Sequence, residues 1–169
     1  MSTKNYLTVN AQGIKSLVPA ISTSTGVSEA EQIIMTDTTG KLSSTLFPPG
    51  QGQDTESIVA SEALNAGDFV NIWDDSGTRK ARKADATNGR YINGFVLEAV
   101  ANSGTATVYL SGVNNALSGL TVGERLFLGS AGAVTTTPNT TSGQIFQVVG
   151  VAISATSTSF QFSDYILIG

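Results

Sequence analysis

Neither cysteine nor histidine occurs anywhere in the 169 residues. Their absence removes disulfides, thiolate and imidazole zinc sites, cysteine nucleophiles, Ser-His-Asp triads and the commonest general base together. Charge is scarce too: 13% of residues are charged, and the formal net charge is −4. No whole-molecule field of that sign recruits nucleic acid or an anionic membrane. No run approaches the roughly 18 apolar residues of a membrane-spanning helix, and MSTKNYLTVN lacks the apolar core of a secretory signal. The expectation is a soluble protein made in a cytoplasm. The 13 acidic residues are scattered rather than paired at a motif spacing, so carboxylate or carboxylate-metal catalysis has no visible setting. No catalytic residue, metal ligand or cofactor is expected.

What the chain has in abundance is hydroxyl and glycine: 40 Ser and Thr and 18 Gly. Such a surface suits strands and turns, because solvent-facing helix positions usually carry Glu, Lys and Arg. Short runs rich in Val, Ile, Phe and Thr recur between turn residues: SIVAS, DFVNIW, TRKARKA, YINGFVLEAV, TATVYL, RLFLG, AVTTT, IFQVVGVAI and SFQFSDYILI. That is an all-β pattern. One stretch is written twice. LNAGDFVNIWDDSG (64–77) returns as LTVGERLFLGSAG (120–132), matching Leu64 to Leu120, Gly67 to Gly123, Asp68 to Glu124, Val70 to Leu126 and Ile72 to Leu128. GFVLEA (94–99) likewise meets GVAISA (150–155). One unit of this length buries too little surface to stand alone, so the two copies are expected to share a core about an approximate two-fold, as a small β-barrel or sandwich-barrel. DDSG and GSAG are expected hairpin turns, and Gly94 and Gly150, inside apolar runs, are expected bulges or sharp bends.

The first third reads differently. Residues 1–26 alternate weakly, with apolar points at Tyr6, Leu7, Val9, Ile14, Leu17, Val18 and Ile21. With so few core-type residues they are expected to form an extended arm that orders on a partner. In residues 27–56, Ser28 and Glu31 have capping-box spacing, DTTG (37–40) is a turn, and Pro48-Pro49 stop any ladder. GQGQDTE (50–56) reads as a hinge. Residues 57–169 hold the repeated β-domain.

Two resemblances follow from these motifs. Small residues, an acidic residue, Ile33-Ile34, then Thr36-Asp37, Gly40-Lys41-Leu42 and Leu46-Phe47-Pro48 resemble the linker that precedes the outer domains of bacteriophage fibre and head-decoration proteins, where three chains run side by side. It covers about one seventh of the chain. The resemblance implies that Ile33, Ile34, Leu42, Leu46 and Phe47 meet their symmetry mates on a three-fold axis; the other reading is a hairpin folded back on its own chain. The order Leu64 to Val70, Asp75 to Gly77, Lys83 to Ala86, Gly94 to Leu97 and Gly104 to Gly112 resembles the β-domain of capsid decoration (cement) proteins and head fibres. Those positions are glycines and apolar residues, which specify a fold better than a task.

Residues that differ between the copies are the candidates for contact. Five of the nine basic residues lie at Arg79, Lys80, Arg82, Lys83 and Arg90, and the second copy has AVTTT where the first has TRKAR, so the fold does not demand this charge. They read either as protection of an exposed edge strand, as contact with an acidic capsid patch, or, without interleaved aromatics, weakly as a nucleic-acid surface. Asp74-Asp75-Ser76 is an acidic turn without EF-hand spacing. Trp73 with Tyr91 offers a sugar-stacking platform, set against a plain core role. Asn139-Thr140-Thr141 fits a glycosylation acceptor only in a secreted eukaryotic protein.

The resulting expectation is a non-enzymatic virion protein on the outer capsid surface: a homotrimeric capsid decoration or cement protein stabilising joints between major capsid protein subunits. Tyr6, Leu7, Ile14 and Leu17 would bind the capsid, with no direct nucleic-acid or membrane contact. The alternative is a receptor- or glycan-binding tip domain of a phage head or tail fibre, holding a host glycan.

Overall fold

The computed structural model describes residues 4–24, 32–38, 40–43, 46–47, 54–161 and 163–169. It divides into two compact units, residues 1–52 and 53–169. The protein is all-β: thirteen strands are described, with a short 3₁₀ turn at Ala86–Asn88.

In the first unit, β1 (Asn5–Val9) and β2 (Lys15–Pro19) form an antiparallel hairpin, Tyr6 opposite Val18 and Leu7 opposite Leu17. Residues 5–19, expected as part of an extended arm, are extended and pair with themselves. The loop is closed locally: Asn10 Oδ1 accepts from the N–H groups of Gln12 (3.0 Å) and Ile14 (2.9 Å), and the Asn10 N–H donates to the Ile14 carbonyl. An asparagine that hydrogen-bonds its own loop is a strong turn former, and Gly13 at φ +78° completes the reversal. Ile21 then pairs in parallel with Ile34, through Ile21 N–H to the Ile33 carbonyl and Met35 N–H to the Ile21 carbonyl. At the ends of the expected DTTG turn, the Gly40 N–H donates to the Asp37 carbonyl at 3.1 Å and Asp37 Oδ1 accepts from Lys41 N–H at 3.0 Å. The Ser28–Glu31 capping box and Pro48-Pro49 lie outside the described residues.

The second unit begins earlier than the hinge reading of 50–56 allows, since Thr55 and Glu56 already belong to β3 (Thr55–Ala60). With β4 (Phe69–Asp75), β5 (Thr78–Lys83), β6 (Gly94–Phe95) and β7 (Thr105–Tyr109), β3 closes a five-stranded barrel. Around the ring the order is β5, β4, β6, β7, β3, and the seam is the parallel pairing of β3 with β5, Val59 opposite Lys80 and Ala60 opposite Ala81. Ile58, Ala60, Val70, Ala81, Ala106 and Val108 fill it.

The repeat is reproduced bond by bond. The second copy comprises β8 (Gly112–Asn114), β9 (Arg125–Leu128), β10 (Val134–Thr135), β11 (Ile145–Ser154) and β12 (Ser157–Phe160), in the order β10, β9, β11, β12, β8. Strand for strand this is the order of the barrel. Val70 opposes Gly94 as Leu126 opposes Gly150. The Gly67 N–H donates to the Val96 carbonyl as Gly123 does to Ala152, and Val96 to Asp68 as Ala152 to Glu124. Both expected hairpin turns pass through left-handed pairs, Ser76-Gly77 (φ 56° and 86°) and Ala131-Gly132 (φ 51° and 85°). The second copy stays open: β8 has three residues, β10 has two, and Pro138 follows, which cannot donate to a ladder. β13 (Tyr165–Leu167) instead adds to β11.

A shared core forms where the copies meet. Phe69, Ala84, Ile92 and Phe95 of the first pack with Leu126, Leu128, Ile145, Val149, Ala152 and Phe160 of the second. Phe69, Phe95 and Phe160 are mutually 5.6–6.0 Å apart, tilted or edge-on, the arrangement aromatic quadrupoles favour. Each such ring buried contributes about 1.5–3 kcal/mol.

Candidate functional site

Period-two alternation decides what the basic strand can do. On β5, Ala81 points into the barrel, which puts Lys80 and Arg82 on the outer face. β4 answers from the same face: Asn71 lies opposite Arg82, and Trp73 opposite Lys80. Around these side chains lies an open depression of about 500 Å³ lined by Ser61, Glu62, Trp73, Asp75, Lys80, Arg82, Arg90, Asn102 and Ser103, with Ala60. All of them come from the first copy. Of the five candidate contact residues, three line the depression and two do not. Arg79 pairs with Glu56 at 2.9 Å, and Lys83 pairs with Asp68 at 3.3 Å, away from it.

The electrostatics are those of a matched lattice rather than a basic patch. Lys80 Nζ lies 2.6 Å from Asp75 Oδ2, and Arg90 Nη1 lies 3.5 Å from Glu62 Oε1, which also accepts from Lys83 N–H at 2.8 Å. Arg82 is different. Its Nε donates to Asn71 Oδ1 at 3.0 Å and its guanidinium lies 4.5 Å over the Trp73 ring, with no carboxylate ion pair among the described residues. Burial, then the neighbouring charge of Arg90, lower its pKa against the opposing effect of Glu62. Asn71 is 3% exposed, and its amide nitrogen is committed to the Tyr91 carbonyl (2.9 Å) and Asn93 Oδ1 (3.2 Å), so its oxygen is left for Arg82. Trp73 Nε1 donates to Ser61 Oγ at 3.2 Å.

Several expectations are revised by this geometry. β5 pairs with β4 on one side and β3 on the other, so it is not an edge strand needing protection. Tyr91 does not share a platform with Trp73; its ring stacks flat on Tyr165, 4.6 Å away, beside the shared core. Asp75 is engaged by Lys80, and among the described residues no three His, Cys, Asp or Glu gather as a metal cluster. Asn139 donates to the Leu128 and Ile145 carbonyls, bracing β9 against β11. Glu62, Asn71, Asn102 and Ser103 carry no sequence signal, because a residue of β4 and residues of two separate loops converge only when β3 pairs with β5 and β7 and β4 with β5.

The other candidates lie in the first unit. Leu7 and Leu17 share one hairpin face with Val9, all exposed, Leu17 at 68%. Tyr6 is on the opposite face and half-buried, and Ile14 lies in the loop, exposed at 63%. Ile33, Ile34, Leu42 and Phe47 are exposed as well, and Leu46 is half-buried.

No protein-family model matches the chain, and no curated protein matches it in sequence. Among solved structures, the fold is similar to the N base of the head fiber gp8.5 of bacteriophage phi29, with 13% identity and a TM-score of 0.46, over 70% of this chain and 95% of that one.

Proposed function

We propose that this chain is a structural, non-enzymatic virion protein: a homotrimeric decoration protein that attaches to a phage head through its first unit and carries the repeated β-domain outward. The observation that carries this reading is where burial stops. Among the described residues, no core residue precedes Ile58, whereas Leu7, Val9, Ile14, Leu17, Ile33, Ile34, Leu42 and Phe47 are all exposed. A two-stranded hairpin is marginal by itself in water, so these exposed side chains call for other chains to cover them. The linker motif supports symmetry mates as the cover for Ile33, Ile34, Leu42, Leu46 and Phe47. The hairpin face supports the major capsid protein as the cover for Leu7 and Leu17, with Ile14 at the tip and Tyr6 behind.

The mechanism is mechanical. A trimer that spans several capsid subunits adds contact area across joints that internal pressure drives apart, and each later arm binds at the effective concentration set by the first. Deleting residues 1–25 is expected to abolish association with capsids while the trimer persists in light scattering. Retained capsid binding by the truncated protein would refute the attachment role. Quantitative mass spectrometry of virions is expected to find tens to hundreds of copies.

A further inference from the structure

The depression on β4 and β5 is a feature the scaffold does not need. The second copy builds the same strand order with Gly129 where the first has Trp73 and with the uncharged Ala133–Thr137 where the first has its basic strand. Charged groups are nevertheless gathered here, half-buried, around a ring. Three cations, Lys80, Arg82 and Arg90, face two carboxylates, Glu62 and Asp75, which leaves one positive charge over.

That surplus resides on a preorganised group. Arg82 is held at Nε by the oriented amide of buried Asn71 and at its face by Trp73, while its terminal nitrogens make no hydrogen bond among the described residues. A guanidinium clamped in this way loses little conformational freedom on binding, and its free edge fits a planar oxyanion. The rest of the wall is a mixture of acceptors and donors, the carboxylates of Glu62 and Asp75 with Asn102 and Ser103. An acidic peptide would need only cations; carboxylates beside an amide and a hydroxyl suit a ligand rich in hydroxyl groups.

We propose that this depression binds a singly charged anionic sugar, its oxyanion on the terminal nitrogens of Arg82 and its hydroxyls on Glu62, Asp75, Asn102 and Ser103. The volume of about 500 Å³ admits one or two sugar rings. The proposal stands independently of trimer formation and of capsid attachment, because every residue in it belongs to the first β-copy.

Trp73 is the single tryptophan of the chain, so its emission reports on this site alone. The full-length protein would be titrated with galacturonate, with its uncharged methyl ester, and with a hexose methyl phosphodiester, each charged probe a single sugar ring carrying one negative charge. A saturable change below about 10 mM is expected with a charged probe and not with the ester. The charged probe that binds identifies the oxyanion as carboxylate or phosphodiester. Arg82→Gln is expected to weaken binding by about tenfold to a hundredfold. Arg82→Lys, which keeps the charge but not the fork, should still lose several-fold, and Arg79→Gln, outside the depression, should bind as wild type. Equal binding of the ester, no saturation with either charged probe, or an undiminished Arg82→Lys variant would overturn the proposal.

Discussion

At Gly150 the backbone leaves no room for a side chain: a Cβ there would run into the carbonyl oxygen of Ser159, and φ is +155°. Gly94, its counterpart in the first copy, would place a Cβ 2.5 Å from the Tyr109 carbonyl oxygen. Both glycines thus let the returning strand, β12 or β7, press onto the strand that carries them, and at Gly150 the register with β9 also shifts, the expected bulge. Gly150→Ala is expected to cost about 2–3 kcal/mol in urea denaturation, because backbone rather than a flexible side chain must yield. Asp85 supplies a second residue-scale prediction. Burial raises its pKa, but hydrogen bonds from the Thr87 hydroxyl and N–H and from the Ala131 backbone, with the charge of Arg90, outweigh that and leave it below the ordinary 3.8. A depressed folded pKa contributes stability that is present above the unfolded value and lost as pH falls through the folded one. Asp85→Ala should therefore destabilise by about 1–2 kcal/mol at pH 7, as loss of a cap does. The gap from wild type should narrow as pH is taken below 3.8.

Between elements, the decisive group is Gln147 on β11. It is 1% exposed, accepts from Ile92 N–H at 2.7 Å, and donates to the Ile92 and Ser163 carbonyls at 3.2 and 2.8 Å. Its amide stands in for a peptide group and joins the copies where no strand pairs. Gln147→Met, which keeps the volume, should cost at least about 2 kcal/mol, since the Ile92 N–H and carbonyl would be buried without partners. Thermal denaturation followed by circular dichroism checks this. Nothing in IFQVVG marks this glutamine as a brace, because a polar residue at an alternating position reads as solvent-facing until a second copy covers it. The repeat itself was legible from Leu64, Gly67, Asp68 and their matches, since turn glycines and apolar parity are local requirements. The correspondence of β3 with β8 was not, because β8 keeps only Gly112–Asn114 and buries the polar Asn114. Asn114 is tolerated there by donating to the Gly67 carbonyl at 2.9 Å.

For the molecule as a whole, the contrast between its units sets the expected behaviour. Residues 53–169 hold two buried core clusters, the barrel interior and the core shared by the copies; the described part of 1–52 has none. If symmetry mates cover the linker, Leu42→Ser with Phe47→Ser should lower the mass in light scattering from three chains to one, with unfolding of the β-domain unchanged. A wild-type monomer across a wide concentration range would refute the trimer.

The amino-acid sequence by itself determined the strand-rich class, both hairpin turns and the internal repeat, because each is written in short-range parity and in residues that tolerate left-handed backbone. It also marked Trp73 and the Arg79–Lys83 strand as departures from the repeat. Only the tertiary structure decided that the first copy closes and the second does not, that residues 5–19 form a hairpin, and that four of the five clustered cations are already matched by carboxylates. Those carboxylates, Glu56, Glu62, Asp68 and Asp75, lie 5 to 28 residues from their partners. Which charge is cancelled and which, at Arg82, is left over depends on the strand register, which is settled only when the barrel closes.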